Sequence, residues 1–453
     1  MKKGSIDIFP FSFILVYCIA LISVMADSRS IIKFVINPIN MKRILLLAVI
    51  FFSTLAGQVS AQGGFTIFDR FNSPLPENQC RYIGIDSQNR KWFCTEYGLA
   101  VYNDTTWSVY LTTNSNISDN SVKHVAFDQQ GNAWISTQNG GVNVFDGSNW
   151  TVYNTGNSGI ASNYIRSITI DSQNRKWICT DNGLCLFDGN NWTIFDILNS
   201  SLPVNNMSVL VEENDSTRWL GTINGGLVRM VDTAFTNWSV YANGFPDNTI
   251  LGLLVDSGGI KWMTCPAGAL VAFFNGTWIA YNTGSSNIPT NSLNSLAQSS
   301  QQNFYMGSYD KGLVKKEGFY YYHWNTTNSN MPDDIVFTVA IENSGIIWCG
   351  TETHGVVRFD ESQWLGLPPV LEYDPVSVYP NPCKQLVNII PNGKSVYSVR
   401  VRDLSGEIKF LQKFSSPVSS FSPIDLSSLP AGVYFVSVDL GDKSVTKKLI
   451  KVE

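Results

Sequence analysis

Only three histidines occur among the 453 residues, His124, His323 and His354, so acid/base chemistry near neutral pH has few candidates to draw on. His354 stands out because Glu352 lies two positions away in Thr351-Glu352-Thr353-His354-Gly355. That short turn could hold an imidazole and a carboxylate side by side. His124 falls in an alternating apolar run and His323 directly before Trp324, and both read as strand positions. There is no HExxH, no P-loop, no GxSxG and no clustered ligand set, so neither a metal nor a cofactor is expected. Asp86, Asp128, Asp171 and Asp256 recur, but without the dense acidic spacing of a calcium loop. They read as turn residues.

The turn carrying His354 is one of a series. Trp92, Trp134, Trp177, Trp219, Trp262, Tyr305 and Trp348 are separated by 42, 43, 42, 43, 43 and 43 residues, the period of a repeat whose units cannot bury their faces alone. Within one unit, Ile165 to Ile170 alternates, Asp171 to Arg175 turns, and Lys176 to Cys179 begins a second run. Leu184 to Phe187 and Trp192 to Phe195 follow, separated by Asx- and Gly-bearing turns. Four short antiparallel strands per unit and seven units make an all-β fold, a seven-bladed β-propeller. The periodic tryptophans read as core, each removing about 150–250 Å² from water. A second marker is the fourth-strand aromatic, Trp107, Trp150, Trp192, Trp238, Trp278, Trp324 and Trp364. Phe65-Thr66-Ile67-Phe68 has the same pattern, which makes one fourth strand too many. Because Trp364 runs into Pro368-Pro369, Phe65 to Phe68 is expected to close the ring beside the third strand of the last blade.

In such a ring the loops joining second to third strands, and fourth to the next first strands, share one face around a central channel. Their Thr and Gly residues serve turns. The residues that break the repeat are the candidates for binding: Glu96, Tyr97, Asp181, Tyr309, Asp310, Lys311, Glu352 and His354, a polar and aromatic set suited to a carbohydrate or peptide. The alternative is a lyase or hydrolase using His354 and Glu352.

Only 15% of residues are charged and the formal net charge is −5, which excludes the basic stripe of a nucleic-acid binder and the polybasic patch of a lipid binder. Lys42 and Arg43, the apolar run Ile44 to Ala56 and Val59-Ser60-Ala61 read as a signal peptide over 41–61. That run is shorter than the ~20 residues of a spanning helix, so no integral membrane segment is expected in the mature chain. Residues 1–40 read as a mis-assigned start or an N-terminal extension. The eight cysteines mostly repeat one slot on different blades and read as small buried hydrophobes, with Cys179 and Cys185 the one local disulfide candidate.

From Phe65 to Gly366 the repeats resemble the two-component regulator propeller family, on Ile170-Asp171-Ser172-Gln173-Asn174-Arg175-Lys176-Trp177-Ile178-Cys179-Thr180, Asn182-Gly183-Leu184 and Asn154-Thr155-Gly156-Asn157-Ser158-Gly159-Ile160. That resemblance implies an exported sensor-type ring and a glycan ligand, without the kinase. After Pro368-Pro369 the period stops. Tyr379-Pro380-Asn381-Pro382, Asp403-Leu404-Ser405-Gly406, Asp425 to Tyr434 and Lys447 to Lys451 resemble the type A C-terminal sorting domain of the type IX secretion system. This implies a small Ig-like β-sandwich, the secretion machinery as a partner, and a place outside the cell or on the outer surface of a Gram-negative bacterium. The expected organisation is a propeller over 62–367, a linker over 368–374 and a sorting domain over 375–453, acting as a binding module for an extracellular glycan or protein.

Overall fold

Short runs of β-branched and aromatic residues, each ended by an Asx or Gly turn, pair most readily with their sequence neighbours. The computed structural model describes residues 63–364 and 376–452, apart from 275, 319, 380, 382, 392 and 393; the expected signal peptide, residues 1–40 and the linker 368–374 lie outside the described residues. Seven four-stranded antiparallel sheets follow one another. In blade 3, Ile165–Ile170, Lys176–Thr180, Gly183–Phe187 and Trp192–Phe195 pair in chain order. Asp171 closes its first turn by accepting the Gln173 and Arg175 amides at 3.1 and 2.8 Å.

The first strands, Cys80–Ile85, Val122–Phe127, Ile165–Ile170, Met207–Glu212, Gly252–Val255, Leu293–Gln298 and Val336–Ile341, touch one another in order, and the last touches the first. The ring is closed. Its last sheet is completed by Phe65–Phe68, antiparallel to Val356–Phe359 with Phe65 opposite Phe359. Phe65 stacks on Phe359 at 4.3 Å, and Phe68 lies 5.8 Å from both Trp348 of blade 7 and Trp107 of blade 1. The displaced Trp364 caps a 3-10 turn, Glu361–Gln363, and meets Phe65 edge-on at 5.5 Å.

The periodic aromatics are all buried, none more than 7% exposed. Burying an indole requires a partner for its N–H. Six of the seven donate at 2.6–3.0 Å to a carboxylate six residues earlier, namely Asp86, Asp128, Asp171, Glu213, Asp256 and Glu342. In blade 6 that position is Ser299, and the Tyr305 hydroxyl donates to Glu361 instead, at 2.5 Å. The residue preceding four of these aromatics carries a cation to the carboxylate of the previous blade. Lys91 reaches Glu342 at 3.2 Å, Lys176 Asp128 at 3.8 Å, Arg218 Asp171 at 3.1 Å and Lys261 Glu213 at 2.5 Å.

Trp238 and Trp324 lie in fourth strands as expected, at their ends, opposite Leu227 and Leu313, where Tyr110 and Phe195 stand in blades 1 and 3. One reading of the sequence needs correction: Cys179 and Cys185 are free. Their registers, Cys179 opposite Leu184 and Cys185 opposite Ile178, put them on opposite faces of the sheet. The thiols of the described residues are all buried, and burial pushes Cys80 and Cys179 up to about 12.

The C-terminal region packs two sheets around one core. Ser377–Tyr379, Leu386–Ile390 and Ile424–Asp425 form the first, and Ile408–Val418, Val396–Arg402, Gly432–Asp439 and Ser444–Lys451 the second, in that spatial order. Val378, Val387 and Ile389 of one meet Val399, Val401, Val436 and Leu449 of the other. This is a β-sandwich.

Candidate functional site

A cavity of about 700 Å³ runs between the first strands. In six blades those strands carry a β-bulge near their starts, which inserts one extra residue and re-aims its side chain. The residues at the bulges are Arg81, Lys123, Arg166, Ser208, Asn294 and Phe337; Leu251 stands at the same position in blade 5. All seven line the cavity. They lie at its mouth, on the face that also carries the second-to-third loops.

Three cationic side chains therefore stand in consecutive blades. Glu96, from the blade 1 loop, bridges two of them, 3.1 Å from Arg81 Nε and 2.6 Å from Lys123 Nζ, and accepts the Ser121 hydroxyl at 2.5 Å. Burial alone would raise its carboxyl; the bonds from Lys123, Ser121 and Arg81 outweigh that and hold it below the usual value. The Arg81 guanidinium lies over the Phe337 ring at 4.2 Å, and Tyr309 meets Phe337 edge-on at 6.1 Å. The result is a continuous arc, Tyr309, Phe337, Arg81, Glu96 and Lys123, across blades 6, 7, 1 and 2. Deeper in the channel, Tyr82 stacks on His124 at 3.9 Å, and burial pushes the imidazole down to about 3. It stays neutral.

Of the residues expected from sequence, the structure brings Glu96 and Tyr309 into this arc. Tyr97 is exposed at its edge, Asp181 and Asp310 are exposed on the loops of blades 3 and 6, and Lys311 is half-buried. His354 is paired differently from the expectation. Its Nδ1 lies 2.8 Å from Thr353 Oγ1 and 3.5 Å from Asp333 Oδ2, and Glu352 makes no side-chain bond to it. Asp333 also accepts the Thr353 and Ile335 amides. Asp119 and Asp247 hold the equivalent loops of blades 2 and 5 in the same way. The His354 contact thus belongs to a loop anchor found in blades without histidine.

Sequence reasoning missed Arg81, Lys123, Arg166 and Phe337. Their signal was present, since each stands eleven positions before a periodic aromatic.

In the C-terminal sandwich, Asp403, Leu404 and Ser405 meet Leu429, Pro430 and Tyr434 around a cavity of about 550 Å³, with the Tyr434 hydroxyl donating to Pro430 O at 2.8 Å. Two of the four motifs singled out in the tail therefore converge. Residues 377–452 match the family described as the secretion system C-terminal sorting domain. This tail is a sorting domain. It marks the chain for secretion or attachment at the outer surface. No helix among the described residues is long and apolar enough to cross a membrane.

Among solved structures, the chain is similar to the extracellular domain of BT3049 of B. thetaiotaomicron, described as a hybrid two-component system, with TM-score 0.58, 18% identity and 86% of this chain covered. It is also similar to PorZ of Porphyromonas gingivalis, a surface component of the type-IX secretion system, with TM-score 0.52, 14% identity and 83% covered. The chain spans 55% and 60% of those two proteins. An inactive variant of virginiamycin B lyase from Staphylococcus aureus, with quinupristin, aligns at TM-score 0.54 and 10% identity, over 66% of this chain and 99% of the lyase. At such identities the shared property is the propeller fold. No curated protein matches the sequence.

Proposed function

We propose that the propeller of this secreted chain is an extracellular binding module, with a glycan as its first class of ligand and a protein as its second, and that the channel-mouth face is where it binds. The observation that carries this reading is the arc of Tyr309, Phe337, Arg81, Glu96 and Lys123, which sets aromatic faces beside charged donors at the rim of a cavity. The surrounding loops agree. Among the described residues, the exposed large hydrophobics of the propeller on this face are Phe71, Tyr97, Ile197, Leu198, Val240 and Tyr309, against Phe274 and Tyr320 elsewhere. Six of the eight therefore share this face, an asymmetry that supports it as the one that meets a partner. The sorting tail adds the secretion machinery as an export partner. No contact favours the lyase alternative, because His354 pairs with the loop-anchoring Asp333.

The test is a broad glycan array probed with the secreted full chain and with Phe337→Ala. Saturable binding weakened by the substitution is the expected result. Binding that Phe337→Ala leaves intact would move the site off this face, and a clean negative would turn the reading to a protein ligand.

A further inference from the structure

The proposed binding face has a charge pattern that narrows its ligand, an inference that rests on the glycan reading above. Arg166 donates through Nε to Asn206 Oδ1 at 2.9 Å and through Nη1 to the Tyr164 hydroxyl at 3.5 Å, and pairs with no carboxylate among the described residues. Among the described residues Arg81 bonds through its Nε alone, to Glu96, which leaves both terminal nitrogens as donors. Their side chains occupy equivalent bulges two blades apart, with Lys123 between them.

Asn294, at the blade 6 bulge, lines the same cavity, but both atoms of its side-chain amide are shielded from solvent, so it is not offered to a ligand. The acidic groups on the loops of this face, among them Glu96, held by Arg81, Lys123 and Ser121, and Asp119, Asp181, Asp196, Asp310 and Glu352, form no ion pair with Arg166 among the described residues.

The geometry points to an oxyanion site at the channel mouth: the carboxylate or sulfate of an acidic oligosaccharide accepts from the outer nitrogens of Arg81 and Arg166, while a sugar ring packs beside Phe337 and Tyr309. Guanidinium forks suit oxyanions through paired N–H donors. The aromatic platform suits a sugar's apolar face.

The experiment compares the secreted full chain with Arg166→Met for binding to polygalacturonate oligomers, chondroitin sulfate oligomers and neutral dextran oligomers of equal length. Binding to an acidic oligomer that falls about tenfold or more in Arg166→Met, and weakens as salt rises, is the expected result. The two acidic probes separate carboxylate from sulfate. Arg166→Lys keeps the charge and should recover part of the affinity, which a purely structural role would not do. Melting curves identify a variant that fails to fold, in which case the salt dependence of the unaltered chain decides. Equal binding to neutral and acidic oligomers, or salt-independent binding, overturns the oxyanion site and leaves the glycan reading standing. Failure to bind any glycan overturns both.

Discussion

The two faces of the ring are built from the same strands and differ in what repeats. On the face of the first-to-second turns, the same chemistry recurs from blade to blade: an acid, an indole six residues later, and in four blades a cation reaching from the next sheet. On the channel-mouth face the backbone recurs and the chemistry does not. The bulged positions hold Arg, Lys, Arg, Ser, Asn and Phe in turn. A position filled one way in six of seven blades is answering to packing, and one that varies on a recurring backbone is free to answer to a ligand. The comparison separates stability from recognition within single strands, and substitutions can test it.

The largest effect should come from the strand that joins both faces. Deleting 65–68 strips the pairing edge of Val356–Phe359 and removes Phe65 from Phe359 and Phe68 from Trp348 and Trp107. A loss upwards of about 5 kcal/mol is expected, since truncating one core aromatic alone costs about 3–5 kcal/mol. Denaturant unfolding of the deleted chain should show an early or broadened transition. An unchanged midpoint would mean that the ring does not depend on its closure.

Next is the acid–indole girdle. Asp171 accepts from the Trp177 indole at 2.8 Å, Arg175 at 2.7 Å and Arg218 at 3.1 Å, and Arg218 is itself buried. Asp171→Ala leaves that guanidinium and indole short of a partner, at a cost of about 3–5 kcal/mol. The pH dependence follows from the same contacts. Burial alone would raise Asp128, Asp171, Glu213 and Glu342, but the indole and the neighbouring donors outweigh it and hold all four low. A carboxyl depressed in the folded state stabilises above its unfolded value of about 4 and loses that contribution as pH falls through the folded value. Melting temperature should therefore fall steeply below about pH 4, and less steeply in Asp171→Asn. An identical acid limb in the variant would take the girdle out of the account.

What the sequence disclosed follows the same division. The periodic tryptophans revealed the ring and its closing strand because packing had fixed their type and spacing. The acids six residues before them read only as turn formers; their second bond, to the indole, depends on the side chains meeting across the strand. The cations at the mouth escaped notice because charge was weighed over the whole chain, where a net −5 conceals three bases at one recurring slot. His354 and Glu352 looked like a pair by proximity in sequence, and proximity does not say which way a loop side chain turns. Asp333, distant in sequence, is the partner it found.

The smallest effect tests whether the division holds within one loop. The segment Asp196-Ile197-Leu198-Asn199 is held by Asp196 Oδ1, which accepts the Leu198 amide at 2.7 Å, and by Asn205 Oδ1, which accepts the Ile197 amide at 2.9 Å. The second bond recurs in every blade, through Asn78, Asn120, Asn163, Asn205, Asn248, Asn291 and Asp334. Leu198 itself is 89% exposed. Asn205→Ala should cost about 1 kcal/mol for the lost bond, whereas Leu198→Ser should stay within about 0.5 kcal/mol of the parent while removing apolar area from the binding face. Urea midpoints of the two variants decide it. A Leu198→Ser chain as destabilised as Asn205→Ala would show that the tip packs for stability, and would erase the distinction between an unvarying scaffold and the side chains it presents.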